Sequence, residues 1–156
     1  SGYQPDRTIE FMGYAAEEVG LVGSREISQA YKTAGKKVVA VLQFDMTMYP
    51  GAAPQITLIN DQVDNGLTAF LKQIIDEYVK VPWKEEPCGY GCSDHASWTR
   101  AGFPSAFPFE APVKQMNGKI HSSKDLFENG MSHEHGLHFA KIGLAFAVEL
   151  ATENAK

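Results

Sequence analysis

Three things are scarce in this 156-residue chain: it has two cysteines, no long apolar run and no stripe of basic residues. Two cysteines are too few for a structural zinc site. A membrane-spanning helix needs about 18 consecutive apolar residues, which the sequence does not contain. The net charge of −5 argues against a nucleic acid or an anionic membrane surface as partner. A peptide or another small molecule is the expected partner, with no nucleic acid and no membrane.

Low-complexity sequence is also absent. The fourteen glycines and eight prolines are spread along the chain, and 44% of the residues are hydrophobic. This composition is typical of an ordinary globular protein. A globular chain of this length buries roughly 70% of the surface that it exposes when unfolded. We therefore expect residues 1–156 to belong to a single domain with a substantial core.

What is present is an alternation of strand and helix patterns. Strands are predicted at residues 7–15, where apolar side chains alternate, and at 38–44, 55–60 and 103–109. Helices are predicted from a cap at Ser24 to Gly35, along the apolar stripe Leu67 to Tyr78, from Ser93 or Asp94 to Gly102, and through Leu137, Ala140, Leu144 and Val148. Residues 82–92 are predicted to be irregular. The alternation predicts an α/β fold, a three-layer αβα sandwich with a mostly parallel sheet.

Acidic residues follow two of the predicted strands. Glu17 and Glu18 come after the first strand, and Asp45 directly follows the second. The loop from Phe109 to His121 follows the last predicted strand. Because ligands of such sheets bind outside the carboxyl ends of the strands, we expect these residues to meet in one cleft. A bare Glu-Glu pair usually marks a solvated turn, so a functional interpretation needs the motifs around it.

Five motifs supply that context. In chain order they are Ala15-Ala16-Glu17-Glu18-Val19-Gly20-Leu21 followed by Gly23-Ser24, Gln43-Phe44-Asp45-Met46, Cys88-Gly89-Tyr90-Gly91-Cys92-Ser93-Asp94-His95-Ala96-Ser97-Trp98, Pro108-Phe109-Glu110, and Ile120-His121-Ser122-Ser123-Lys124-Asp125. Together they resemble the motifs of bacterial secreted leucyl aminopeptidases. These belong to the co-catalytic di-zinc exopeptidases of metallopeptidase family 28, which also include glutaminyl cyclase relatives. The resemblance covers essentially the whole chain and implies a secreted zinc aminopeptidase.

The resemblance implies a role for four residues. Glu17 would be the general base and acid, Glu18 and His121 would bind one zinc, and Asp45 would bind the other. Zinc accepts carboxylate oxygen and imidazole nitrogen, and two zinc ions can polarise a carbonyl and acidify bound water. Glu17 would then take a proton from that water and pass it to the leaving amine.

Adjacent residues on extended backbone point in opposite directions, which is a difficulty for the neighbouring glutamates. Both can serve the same site only if the backbone bends there. Gly20 and Gly23 follow the pair and would permit a bend. We therefore expect a turn rather than a continuous strand at the glutamates.

The resemblance also implies a substrate pocket. Tyr90 would orient the substrate carbonyl, and the apolar pocket for the first residue of the peptide would be lined by Met46, Cys92, Phe109, Val113, Met116 and Ile120. An apolar pocket favours large aliphatic side chains, so a leucine-like preference is expected. Cys88 and Cys92 would form a disulfide that shapes the loop around Tyr90, in agreement with a secreted location.

Two ligands of the family pattern have no counterpart in the chain. The bridging aspartate and the histidine that completes the second zinc site lie upstream of the family strand with which this chain begins. Asp6 follows Pro5 and is typical of a turn. We therefore expect the chain to be the C-terminal portion of the catalytic domain, with the missing N-terminal half as its partner. Alone it should bind one zinc weakly or none and have at most trace activity.

Two other functions are compatible with parts of the sequence. A glutaminyl-cyclase-like cyclotransferase shares the fold but uses one zinc, and the cysteine-bounded loop around Tyr90 fits the aminopeptidases better. A non-catalytic binding domain is the third candidate, against which the intact Glu17 and its neighbours argue. Ser93, Asp94 and His95 cannot form a catalytic triad, because adjacent residues cannot adopt that geometry.

Minor candidates have plain structural explanations. Ser93 or Asp94 could support a ligand from behind or could cap a helix. Three histidines at the start of the final helix, His133, His135 and His138, are predicted to be solvated.

Overall fold

The structure is a computed structural model that describes residues 2–52, 55–127 and 130–152. In this part of the chain the strands and α-helices are α1 (Val22–Thr33), β1 (Val41–Leu42), β2 (Ile56–Ile59), α2 (Asn65–Ile74), β3 (Trp83–Glu86), α3 (His95–Ala101), β4 (Ser105–Phe109) and α4 (His133–Ala151). Short 3-10 turns lie at Glu17–Val19 and Val113–Gln115, and a π-helical turn at Ile75–Val79 extends α2. Among the helices of the described residues, none is long and apolar enough to cross a membrane.

The strands form a mixed sheet in the order β1-β4-β2-β3. β1 pairs with β4, and β2 with β3, in the parallel direction, whereas β2 and β4 run antiparallel. Helices α2 and α4 cover one face of the sheet, and α3 lies against the other face with α1 packed on α3. The predicted α/β sandwich with a mostly parallel sheet is therefore confirmed, with one antiparallel pairing in the middle.

The main core lies between the sheet and helices α2 and α4. Ile56 and Leu58 of β2 and Ile142 of α4 are fully buried in it. Helix α2 begins where the Asp64 carboxylate accepts a hydrogen bond from the Leu67 N–H at 2.7 Å, which satisfies a backbone donor of the first turn. This cap and the apolar stripe behind it place α2 as the sequence predicts.

The edge of the sheet that β1 forms has no further strand beside it among the described residues. Residues 7–15 form no strand, and only Val41–Leu42 of the predicted strand at 38–44 pairs with a neighbour. A cavity of about 950 Å³ lies between residues 7–14 and 36–44, and Trp98 and α4 also line it. The prediction of a strand at 7–15 is therefore wrong for this chain. A strand ladder needs an adjacent backbone edge, and the cavity lies where that edge would run.

Two local predictions are also corrected. Trp83–Glu86, in the stretch predicted to be irregular, forms the edge strand β3. An edge strand can carry many charged residues, so its sequence signal is weak. Ser24 does not cap α1, because Leu21 occupies the N-cap position. The Ser24 hydroxyl is buried instead and donates to the hydroxyl of Ser97 at 2.9 Å.

Helix α4 faces the core with a different row of residues from the one predicted. The predicted row is largely exposed, with Leu137 and Leu144 at 53% and 68% exposure. The buried row consists of His135, Phe139, Ile142 and Phe146. Both rows have helical spacing, because α4 is apolar on more than one side. Periodicity alone could not tell which row meets the sheet.

Candidate active site

The two adjacent glutamates lie on a sharp turn. Ala16 before them has a φ of 58°, and Gly20 after them has a φ of 103°. The N–H of Gly23 donates to the carbonyl of Ala15 at 3.0 Å, and a Cβ at position 23 would lie 2.5 Å from that oxygen. Glycine is therefore required at position 23 for this close approach. The bend that the two glutamates need is present in the structure.

The first pair of predicted zinc ligands meets in the structure. His121 Nε2 lies 2.9 Å from Glu18 Oε2. Two ligands of a tetrahedral zinc are about 3.3 Å apart when each lies about 2.0 to 2.1 Å from the ion. The donor types fit zinc, whereas the two atoms lie closer than two tetrahedral ligands would, at an ordinary hydrogen-bond distance from each other. Both side chains are open to solvent, at 67% exposure for Glu18 and 61% for His121.

The third predicted ligand is held by a different contact. Asp45 Oδ2 accepts a hydrogen bond from the Ser93 hydroxyl at 2.8 Å. Asp94 is buried beside it, and its Oδ1 atom has no hydrogen-bond partner among the described residues. In residues 2–52, 55–127 and 130–152, no three His, Cys, Asp or Glu side chains group closely enough to hold a metal ion. The structure thus pairs Glu18 with His121, but it does not unite Asp45 with them.

Glu17 lies within electrostatic reach of both groups. Burial raises the pKa of its carboxyl group above the ordinary value, and the negative charges of Asp45, Asp94 and Glu18 raise it further. His121 acts in the opposite direction. A carboxyl group with a raised pKa is better matched to taking up a proton near neutral pH.

Most of the predicted pocket residues gather in one apolar cluster. Phe109 forms a buried cluster with Ile59 and Phe107, and Met46, Cys92, Val113 and Met116 pack against that cluster together with Val63 and Cys88. Ile120 is half-buried and is not part of this cluster. Tyr90 is 67% exposed. The cluster provides an apolar surface beside the loop that carries Tyr90.

The loop around Tyr90 is fixed at its start. Cys88 and Cys92 are joined in a disulfide, as the resemblance implied. The Asp61 carboxylate accepts hydrogen bonds from the N–H groups of Cys88 at 2.9 Å and Gly89 at 2.7 Å. Sequence analysis did not single out Asp61. Its place directly after the predicted strand at 55–60 was the available signal, because strand ends carry functional loops.

The three histidines of α4 differ from the prediction that all are solvated. His133 is exposed, but His135 is 2% exposed. The prediction was wrong for His135 because it belongs to the buried row of α4. Its Nε2 atom lies 2.7 Å from the carbonyl oxygen of Glu110. His135 is therefore bound within the fold and is not a solvated surface residue.

Comparison with known proteins gives a consistent family. Residues 1–147 match the model of Peptidase family M28. Leucine aminopeptidase 1 from Phaeosphaeria nodorum is 47% identical over 150 residues, which cover 92% of this chain and 38% of the relative. Leucine aminopeptidase 1 from Penicillium rubens is 46% identical over 154 residues, covering 95% of this chain and 40% of the relative. The chain thus spans about 40% of the length of these curated relatives.

Solved structures of aminopeptidases have the same fold as this chain. The LapA aminopeptidase of Legionella pneumophila superposes with a TM-score of 0.93 at 42% identity, covering 98% of this chain and 42% of that one. BSAP, a zinc aminopeptidase from Bacillus subtilis, shares the fold with a TM-score of 0.75 at 19% identity, over 92% of this chain and 36% of its own. Bacterial and fungal proteins both resemble the chain. With a family model matched along most of its length and relatives nearly half identical, this chain belongs to peptidase family M28.

Proposed function

We propose that this chain is the C-terminal portion of the catalytic domain of a secreted aminopeptidase, which uses zinc to release hydrophobic N-terminal residues from peptides. The observation that carries the proposal is the contact between Glu18 and His121 next to Glu17. The family and the leucine aminopeptidase relatives support the reaction. The disulfide Cys88–Cys92 supports a secreted location, since such bonds persist in oxidising compartments.

Each residue has a stated task in this proposal. Glu18 and His121 would hold one zinc, and Asp45, which accepts a hydrogen bond from Ser93, would hold a second. When bound, zinc would supply Lewis acidity that polarises the peptide carbonyl and acidifies water. Glu17 takes a proton from the attacking water while the oxygen of that water bonds to the carbonyl carbon. It then gives that proton to the leaving nitrogen as the C–N bond breaks.

The chain's own residues also position the substrate. The apolar cluster around Phe109 receives the side chain of the first residue, with Ile120 at its margin. Tyr90, exposed at the tip of the disulfide loop, orients the substrate carbonyl with its hydroxyl group. A cluster of this kind favours leucine-like side chains over small ones.

The proposal includes a second part of the domain that this chain does not contain. The cavity lies between residues 7–14 and 36–44, and no strand of the described residues joins these two segments. The relatives are more than twice as long as this chain. We assign the cavity to the missing N-terminal half, which would also bring the remaining zinc ligands. The isolated chain should then bind one zinc weakly or none.

The test compares the isolated chain with the full-length protein. We expect the full-length protein to release a chromophore from a leucine anilide, and the 156-residue chain to show only trace turnover. Glu17→Gln should lower turnover by about 10² to 10⁴-fold with zinc content unchanged. Glu18→Gln should lose zinc, measured by atomic emission, because it removes a ligand.

Glu26→Gln is the matched control, since Glu26 is an exposed glutamate on α1 and should change neither quantity. Full activity of Glu17→Gln, or of the isolated chain, would contradict the proposal.

A further inference from the structure

Glu110 is a buried carboxylate to which sequence analysis gave no role. It is the first residue after β4 and is 3% exposed. Its Oε2 atom accepts two backbone hydrogen bonds, from the N–H of Met48 at 3.1 Å and of Tyr49 at 2.9 Å. Burial raises the pKa of this carboxyl group, and the bonds from Tyr49 and Met48 act in the opposite direction. Burying a polar group is costly unless it is hydrogen-bonded, and Oε1 has no partner among the described residues, so the two amides are the bonds that satisfy this side chain.

Glu110 is itself anchored to helix α4. The Nε2–H of the buried His135 donates to the Glu110 carbonyl oxygen at 2.7 Å. The N-cap residue of α4, Ser132, donates its N–H to the carbonyl of Met48 at 2.7 Å. Segment 46–49 is thus held by Glu110 on one side and by the start of α4 on the other. A change at Glu110 would free one of these two attachments.

The held segment carries a strained residue next to a proposed ligand. Met46, directly after Asp45, has a φ of 57°. The left-handed conformation is unfavourable for a residue other than glycine. Such strain persists only where the surroundings fix the backbone. The side chain of Met46 packs into the apolar cluster around Phe109. The backbone of residues 46–49 therefore decides where Met46 lies in that cluster.

We propose that Glu110 is a positioning residue: by holding the amides of Met48 and Tyr49 it fixes the turn at Met46, and so sets the preference for large over small N-terminal residues. This inference rests on the proposed function. A positioning role of Glu110 differs from a purely structural role in its effect on substrates. Loss of a structural contact lowers the amount of folded protein and affects all substrates equally, whereas loss of a positioning contact changes the ratio between substrates.

Hydrogen exchange tests the contact without any assay of activity. In the 156-residue chain, the amides of Met48 and Tyr49 should exchange slowly. Glu110→Met keeps the length of the side chain but removes both acceptor oxygens, so exchange at these two amides should rise at least about tenfold. Glu110→Gln keeps one acceptor oxygen, so its exchange rates at these amides should lie between those of the unmodified chain and of Glu110→Met. Gln115→Ala is the control, because Gln115 joins the same two loops at Ala52, further along the chain, by a 3.4 Å contact.

Kinetics of the full-length protein test the consequence. The ratio of kcat/KM for a leucine anilide to that for an alanine anilide should fall about tenfold in Glu110→Met, by less in Glu110→Gln, and not in Gln115→Ala. An unchanged ratio with lower activity on both substrates would overturn the inference, as would fast exchange of the two amides in the unmodified chain. If Glu110→Met does not fold, the ratio in Glu110→Gln decides in the same way. Absence of any peptidase activity in the unmodified protein would refute the proposed function and the inference with it, while exchange would still report the contact.

Discussion

Strand β2 and the segment at residues 36–44 have similar apolar sequences but different surroundings. Ile56, Leu58 and Ile59 are 0% exposed, because β2 has a neighbour on each side and helices on its faces. Val39 is 52% exposed, because within the described residues β1 pairs with β4 alone and the segment lines the open cavity. Hydrophobic sequence shows what can be buried. The presence of a neighbouring strand decides whether it is.

The largest expected effect on stability is in the core around β2. Leu58→Ala should lower the free energy of unfolding by about 2 to 5 kcal/mol, because it leaves a cavity in a packed core. Val39→Ala removes apolar atoms from the open edge and should cost less than about 1 kcal/mol. Urea unfolding of both variants measures the difference. Equal losses would show that the open edge is as well packed as the core.

The free energy of unfolding should also fall in acid because of the buried His95. This ring is 0% exposed, and burial lowers its pKa to about 4. The folded state therefore favours the neutral ring. The stability that comes from keeping this ring neutral is fully present above the unfolded pKa of about 6.5. It is lost as the pH falls towards 4, which lowers the free energy of unfolding by up to about 3 kcal/mol.

Unfolding free energies between pH 7 and 4 test this prediction. His95→Phe should make the dependence less steep, since phenylalanine does not titrate and can still contact the Phe107 ring. Part of the dependence should remain, because burial also lowers the pKa of His135. His133→Gln is the control, because His133 is exposed and should leave the slope unchanged. A slope as steep in His95→Phe as in the unmodified chain would assign the pH dependence to other groups.

Proline substitutions distinguish the two edges of β1. The N–H of Val41 donates to the carbonyl of Pro104 at 2.9 Å, so Val41→Pro should cost about 1 to 3 kcal/mol. Successive N–H groups of a strand alternate in direction, which points the N–H of Ala40 towards the cavity. Ala40→Pro should therefore affect the isolated chain much less.

The same pair of variants sharpens the comparison in the full-length protein. If the missing half of the domain pairs with this edge, Ala40→Pro should there cost about as much as Val41→Pro. Thermal unfolding of the variants in both forms measures this. A small effect of Ala40→Pro in both forms would show that the edge stays open in the full-length protein.

The smallest effect is expected at the outer row of α4. Leu144 is 68% exposed, so Leu144→Gln should change the free energy of unfolding by less than about 0.5 kcal/mol. Ile142, two positions away, is 0% exposed, and the same replacement there should cost several times more. Chemical denaturation of the two variants checks which row meets the sheet.

The sequence predicted those elements whose signal is local. The strands near residues 55–60 and 103–109 and the stripe from Leu67 onwards were found because each element buries its own apolar residues. The edge strand β3 was missed, since it carries charged residues and bonds to one neighbour among the described strands. The row of α4 was misassigned because two rows satisfy the same periodicity.

For the candidate site, the chemical groups and their order along the chain could be read from the sequence. The motifs identified Glu17, Glu18 and Asp45, the imidazole of His121 and the two cysteines, and the resemblance paired Glu18 with His121, which the structure also brings together. The contacts of Asp45 with Ser93 and of Glu110 with the amides of Met48 and Tyr49 became apparent only with the fold. Contacts between residues far apart in sequence depend on how strands and helices pack, and that packing leaves no local pattern in the chain.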